Sequence, residues 1–129
     1  MYVKKAEAAD KMYVGVMLRS QGLEAEEALR FLPETGFLAW HEGFPVAAGY
    51  LRRVEGGYGW IDSLVTDATA PGASRNEALD LITTALVEEA RRLELRGIIA
   101  FTKDQNTYSR AMKHGFCGQQ FAVITKDLK

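Results

Sequence analysis

Residues 71–76 bring together groups that can hold a phosphate. The stretch reads Pro-Gly-Ala-Ser-Arg-Asn and precedes an amphipathic segment with the pattern of a helix. The first turn of a helix leaves backbone N–H groups unpaired and carries about half a positive charge. Ser74 and Asn76 can donate further hydrogen bonds, and Arg75 can add a cationic contact. An ordinary capped helix start would use the same residues, so both interpretations stay open.

The composition narrows the class of protein. The chain has 129 residues, 47% of them hydrophobic, and a formal net charge of −1, which predicts one globular domain without the basic excess of a nucleic-acid binder. Cys117 is the only cysteine, which excludes an intramolecular disulfide and a thiolate-rich zinc site and favours a cytoplasmic protein. No apolar run reaches the length of a membrane span, so no membrane partner is expected.

The charge is distributed unevenly along the chain. Residues 103–129 carry five basic and two acidic residues. A basic C-terminal region can attract a small phosphorylated ligand, although a solvated surface explains the same excess.

The first half of the sequence predicts a strand, two helices and an antiparallel meander. Apolar periodicity and turn residues predict a strand at Tyr2–Lys5, helices at Ala8–Leu18 and Leu23–Leu32, and strands at Gly36–His41, Phe44–Val54 and Tyr58–Thr66. Strict alternation along the last of these strands would put Leu64 on the same face as Asp62 and Val65 on the other.

A long helix is predicted next. Ser74 is the expected N-cap, and Glu77, three residues later, completes a capping box. Apolar residues recur from Leu79 to Leu93 at spacings of three and four, which indicates one buried stripe.

The remaining elements are short. Ile98–Phe101 is wholly apolar, which predicts a strand covered on both faces, and a crossover through the long helix would make it parallel to Tyr58–Thr66. A helix follows at Asn106–His114, with Asn106 a possible N-cap and Gly115 its C-cap. A final strand is predicted at Gln119–Thr125.

This order of elements resembles the GNAT acetyltransferase superfamily. Residues 40–51 look like that family's second and third strands, residues 61–67 are similar to its fourth, and residues 106–116 resemble its helix from an asparagine to a Gly-Phe pair. The resemblance implies one GNAT-like α/β (α+β) domain over residues 1–129. Its sheet would be mixed and mostly antiparallel, with helices on both faces, a splayed parallel strand pair and an abbreviated C-terminal strand region. The chain also looks like short GNAT-like proteins of tailed bacteriophages, which implies a phage source.

The resemblance implies an N-acetyltransferase that moves an acetyl group from acetyl-CoA to an amine, of a small molecule or a protein, in a ternary complex. Asp62 stands where many relatives carry Glu and is the implied base, although a hydrogen-bonded carboxylate is the alternative. Tyr108 is the candidate acid, because the family's tyrosine position falls on Ala111. The implied cofactor-binding residues lie on the fourth strand, at the helix start and before the last helix: Leu64, Val65, Thr66, Gly72, Ala73, Ser74, Arg75, Asn76 and Asn106.

Departures from the family pattern leave a second function open. The family's pyrophosphate loop reads Gln/Arg-x-x-Gly-x-Gly/Ala, whereas this chain has Pro71, Ser74 and Asn76 at the three defined positions. A catalytically weak or inactive GNAT-like module that binds a protein partner, such as a host protein, is therefore the alternative. An open edge at Gln119–Thr125 could also pair with a second copy to form a homodimer.

Overall fold

The computed structural model describes residues 1–119 and 122–128, which form five strands and four α-helices. The elements are β1 (Tyr2–Lys5), a 3-10 turn (Ala8–Asp10), α1 (Lys11–Ser20), α2 (Glu26–Arg30), β2 (Thr35–His41), β3 (Phe44–Val54), β4 (Tyr58–Thr66), α3 (Gly72–Arg92), β5 (Gly97–Ile99) and α4 (Gln105–Lys113). No helix in these two described ranges is long and apolar enough to cross a membrane.

The five strands form one mixed sheet in chain order. Neighbours from β1 to β4 are antiparallel, and β5 pairs parallel with β4. The predicted bounds of β1, β3 and β4 are confirmed, β2 begins one residue early, and the predicted parallel pair is confirmed. The fold class is therefore as expected, a single α/β domain.

Helices cover both faces of this sheet. Leu38 and Ala39 are consecutive and fully buried, so they point to opposite faces of β2. Leu38 packs in a cluster with Val14, Met17 and Leu18 of α1. Ala39 packs in a second cluster with residues of α3 that include Ile82 and Leu86. The core is thus two apolar layers separated by the sheet.

A β-bulge interrupts the alternation of β4. Tyr50 pairs with Asp62, but Ala48 pairs with Val65, so three steps along β4 oppose two along β3. Ser63 takes up the extra residue with a left-handed φ of 55°. Beyond the bulge, Leu64 packs with the α3 cluster and Val65 with the α1 cluster. The prediction of strict alternation through Thr66 was wrong for this reason.

The long helix α3 begins earlier than predicted. Its first residue is Gly72 and its N-cap is Pro71, which makes no side-chain capping bond. Ser74 is the third helical residue, so the predicted Ser74 cap and its capping box with Glu77 were wrong. Pro71 has the extended backbone of a residue that precedes a helix, with φ −57° and ψ 145°, so α3 begins three residues before the expected start.

Three other helices also have boundaries that differ from prediction. The segment expected as one helix from Ala8 to Leu18 begins as a 3-10 turn, and α1 continues to Ser20. The second helix shortens to the five residues of α2. The last helix, α4, begins at Gln105 and is capped by Asp104, whose side chain accepts from two backbone N–H groups. The N-cap role considered for Asn106 was therefore wrong.

The C-terminal third is more exposed than predicted. β5 has only three residues, and both Ile99 (40% exposed) and Phe101 (60% exposed) face solvent, so the expectation of a strand covered on both faces was wrong. Of the strand predicted at Gln119–Thr125, residues 119 and 122–125 are not in a strand. Gln120 and Phe121 lie outside the described residues.

Candidate functional site

A cleft of about 490 Å³ opens where the end of β4, the start of α3 and the start of α4 meet. Seven of the nine predicted cofactor-binding residues line it, namely Leu64, Val65, Thr66, Gly72, Arg75, Asn76 and Asn106. Ala73 and Ser74 do not. Residues from all three elements meet here because the parallel crossover returns the chain beside β4.

One wall of the cleft is a free strand edge. Parallel pairing with β5 involves only residues 58–60 of β4. No other strand of the described ranges borders this side of β4, so the edge of residues 61–66 has no strand partner there. The backbone groups on that edge can pair with an extended ligand in place of a strand.

The start of α3 has backbone N–H donors without a side-chain cap, and the first of its residues, Gly72, lines the cleft. Arg75 N–H donates to the Pro71 carbonyl at 3.0 Å, but no side chain within residues 1–119 or 122–128 caps the three earlier amides. A Cβ built on Gly72 would meet no atom within 4 Å, so the space beside the first turn is open. N–H groups at the positive end of this 21-residue helix can bind an anion, and Gly72 is the one of residues 72–74 that lines the cleft.

Arg75 adds a charge to the same end of the cleft. Its Nε donates to Thr66 Oγ1 at 3.2 Å, and Gln21 Nε2 donates to Thr66 O and Oγ1 at 3.1 Å. No carboxylate within residues 1–119 or 122–128 forms an ion pair with Arg75. Its charge is therefore oriented by a hydroxyl and remains available to an anionic ligand.

The wall formed by α4 has mixed charge. Asp104 accepts hydrogen bonds from Asn106 N and Thr107 N, and the bonds from Thr107 hold the pKa of this carboxyl below its usual range. Arg110 donates to Asn76 Oδ1 at 2.7 Å and lies 3.3 Å from Asp80, which also contacts His114 at 3.1 Å. These polar contacts fasten α4 to α3.

Asp62 lies on β4 two residues before the lining begins. Arg52 donates to Asp62 Oδ2 through Nε at 3.0 Å and Nη2 at 2.7 Å, and to the Phe31 carbonyl. Ser63 Oγ donates to the other carboxylate oxygen at 3.2 Å. The structure therefore holds the predicted base in an ion pair.

The cross-strand partner of Asp62 is Tyr50. This ring is buried against Gly36, where an added Cβ would lie 2.3 Å from it. Burial, and then the charge of Asp10, raise the pKa of Tyr50 to about 12. Burial thus favours the protonated form of this phenol, the cross-strand neighbour of Asp62.

Tyr108, the predicted acid, is not among the lining residues. A Cβ added to Gly118 would lie 1.9 Å from the Tyr108 hydroxyl, so the ring packs against the chain after α4. The structure does not bring Tyr108 and Asp62 to the cleft together.

Sequence reasoning missed several lining residues. They are Gln21, Leu23, Leu79, Asp104, Thr107 and Arg110. Asp104 carried a readable signal, because Asp is one of the preferred helix N-cap residues. Gln21 reaches the cleft through tertiary packing alone, and the Arg52–Asp62 pair follows from strand register.

The fold is shared with many solved acetyltransferases. Glucosamine-6-phosphate N-acetyltransferase from Arabidopsis thaliana is similar at 13% identity and a TM-score of 0.73, over 99% of this chain and 98% of that chain. Aminoglycoside 6'-N-acetyltransferase from Acinetobacter haemolyticus has 15% identity and a TM-score of 0.68, over 100% of both. A Mycobacterium tuberculosis protein in complex with CoA has 19% identity and a TM-score of 0.72, over 97% of this chain and 76% of that one.

These likenesses show the fold, which is that of the GNAT acetyltransferases. The sequence matches no protein-family model and no curated protein.

Proposed function

We propose that this protein is a GNAT-type N-acetyltransferase that transfers an acetyl group from acetyl-CoA to an amine in a ternary complex. The cleft carries this proposal, because it joins an unpaired strand edge to an uncapped helix start. An extended amide chain and a pyrophosphate are the two parts of CoA that fit these two features. The acetyltransferases that share the fold support the same reaction class.

The lining residues fit CoA in chemical type. The free N–H groups of residues 72–74 and the Arg75 guanidinium would bind the pyrophosphate. The backbone of Leu64, Val65 and Thr66 would pair with the pantetheine amides, and Asn106 faces them from α4. When bound, the cofactor supplies a thioester carbonyl to the amine.

The amine must lose a proton before or during attack. Asp62 is the carboxylate of β4 nearest the cleft in sequence. We assign it the role of the base that accepts the amine proton, directly or through a water molecule. Arg52 holds this carboxylate and thereby fixes its orientation. Backbone N–H groups beside the bulge at Ser63 would stabilise the oxyanion, because a bulge leaves one residue outside the ladder pairing.

Calorimetric titration with acetyl-CoA tests the proposal. We expect one site per chain and an affinity reduced by Asn106→Ala, with Gln105→Ala as the matched control, because Gln105 is exposed and outside the cleft lining. Absence of heat with millimolar acetyl-CoA would refute cofactor binding.

A second candidate function uses the cleft for binding and involves no acetyl transfer. Tyr108 packs at Gly118 and Asp62 is paired with Arg52, which favours a module that binds CoA or a protein partner without transfer. Release of free CoA thiol in the presence of a panel of amines separates the two. Binding without thiol release for every amine would favour this candidate.

A further inference from the structure

Two adjacent residues at the end of α1 are tied to the end of β4 and the loop that follows it. Ser20 Oγ accepts from the Ala68 N–H at 3.0 Å. Gln21 Nε2 donates to both the carbonyl and the hydroxyl of Thr66 at 3.1 Å. Thr66 is only 6% exposed, whereas Gln21 is exposed and lines the cleft. The first helix therefore reaches the wall of the cleft from a distant part of the sequence.

The orientation of the Gln21 amide follows from its partners. A carbonyl oxygen can only accept a hydrogen bond, so the group of Gln21 that faces Thr66 O must be the NH2. The same NH2 also reaches Thr66 Oγ1. Rotation of Thr66 about its Cα–Cβ bond would carry the hydroxyl away from this nitrogen, so the Gln21 amide holds Thr66 in one rotamer.

The Thr66 hydroxyl transmits this orientation to Arg75. A hydroxyl oxygen can accept two hydrogen bonds, and Thr66 Oγ1 accepts one from Gln21 and one from Arg75 Nε at 3.2 Å. Binding at Nε leaves both terminal nitrogens of the guanidinium for a ligand. No carboxylate of residues 1–119 or 122–128 forms an ion pair with them, and a guanidinium binds phosphate oxygens well.

We propose that Gln21 is a positioning residue for anion binding, which holds the Arg75 guanidinium in the cleft through the Thr66 hydroxyl. The proposal rests on the proposed function for its ligand, the pyrophosphate of CoA. Without the Gln21 amide, Thr66 could change rotamer and the long side chain of Arg75 would sample orientations away from the anion. Holding Arg75 in place before binding raises affinity, because less conformational entropy is lost when the ligand binds.

A purely structural role for Gln21 predicts a different result. Ser20 holds the same loop, but its bond goes to Ala68 rather than to Thr66. Ser20→Ala is therefore the matched control, which should loosen the loop and lower stability without releasing Arg75. Gln21→Met is the test variant, because it keeps the length of the side chain and removes the amide.

Hydrogen exchange of the Arg75 Nε–H, followed by NMR in the free protein, tests the positioning without a ligand. We expect Gln21→Met to raise the exchange rate about threefold or more and Ser20→Ala to leave it unchanged. Arg91, exposed in the last turn of α3, is the internal reference. An unchanged Arg75 rate in Gln21→Met, or an equal rise in both variants, overturns the proposal.

Calorimetric titration with acetyl-CoA tests the consequence for binding. Gln21→Met should weaken binding about threefold in the wild-type background and have no further effect in an Arg75→Gln background, because the two residues act through one contact. Equal losses in both backgrounds overturn the proposal. Absence of heat with the wild-type chain would overturn cofactor binding as well, whereas equal affinities of wild type and Gln21→Met would overturn the positioning role alone.

Discussion

Arg52 grips the Asp62 carboxylate through two nitrogens, Nε at 3.0 Å and Nη2 at 2.7 Å, both on the same oxygen. The side chains are 39% and 32% exposed, so solvent screens the attraction. We expect a double-mutant cycle of Arg52→Ala and Asp62→Ala, measured by urea unfolding, to give a coupling energy of about 0.5–1 kcal/mol. Additive single changes would mean that the pair contributes nothing to folding.

The same carboxylate is expected to matter to turnover more than to cofactor affinity. Asp62→Asn should lower thiol release while the calorimetric affinity for acetyl-CoA changes little, because Asp62 is outside the cleft lining. A parallel fall in affinity would show that Asp62 acts on the cleft itself.

Arg75 should contribute directly to binding a polyanion. Arg75→Gln is expected to weaken CoA binding about tenfold, since a charge-assisted hydrogen bond contributes roughly 1.5 kcal/mol. The control is Arg91→Gln, an exposed arginine in the last turn of the same helix. Equal losses in both variants would assign the effect to overall charge.

Asp104 should weaken CoA binding, whereas Arg75 should strengthen it. Its carboxylate lines the cleft and also caps α4. Asparagine caps a helix about as well as aspartate does, so Asp104→Asn removes the charge and keeps the helix. We expect CoA to bind about threefold more tightly at low ionic strength, where charge repulsion is least screened. Asp127→Asn, exposed and outside the lining, should leave the affinity unchanged.

Glu89 should make the stability of the folded protein depend on pH. It is buried on α3, bonds Arg92 and lies 3.7 Å from Lys5 of β1. The Arg92 hydrogen bond, more than the opposing burial, holds its pKa below the ordinary 4.5. A carboxyl whose pKa is lowered by folding stabilises the folded state at every pH above its ordinary pKa. That stabilisation is lost as the pH falls from the ordinary pKa through the lowered pKa of the folded state.

Glu89→Gln should therefore reduce the free energy of unfolding by about 1 kcal/mol at neutral pH, because both partners are mostly solvent-exposed. The loss should shrink below pH 4.5. The adjacent, exposed Glu88→Gln is the control. Parallel pH curves for wild type and Glu89→Gln would contradict this assignment.

Glycine should be more favourable than glutamate at position 94, the residue after the C-cap of α3. Glu94 has a φ of 57° and is exposed, and a side chain is strained in this left-handed region. We expect Glu94→Gly to stabilise the protein by about 1 kcal/mol in urea unfolding. Glu88→Gly, inside the helix, should destabilise it by about the same amount.

Local patterns predicted the fold better than the site. The bounds of β3 could be predicted because a glycine turn lies on either side of it, and the second of these turns also marks the start of β4. The bulge at Ser63 could not, since a residue with ordinary propensities adopts a left-handed φ only under the pairing register of the sheet. That register also decides that Arg52 reaches Asp62.

The starts of the helices also differ in how well they could be predicted from local sequence. Asp104 was readable as a cap from its residue type, because Asp is a preferred N-cap, whereas Pro71 makes no side-chain cap that would mark the start of α3. Cleft residues far apart in sequence, such as Gln21, depend on packing between elements and left no local signal.

The attachment of α4 has a consequence for how the protein responds to salt. No residue of this helix is buried, and its described ties to α3 are charged or polar contacts to Asp80 and Asn76. Charge screening does not weaken the apolar core, whereas ion pairs to the half-exposed Asp80 carboxylate weaken as the Debye length shortens. Salt should therefore detach α4 at concentrations that leave the sheet folded. The wall of the cleft that α4 forms would then be lost before the rest of the fold.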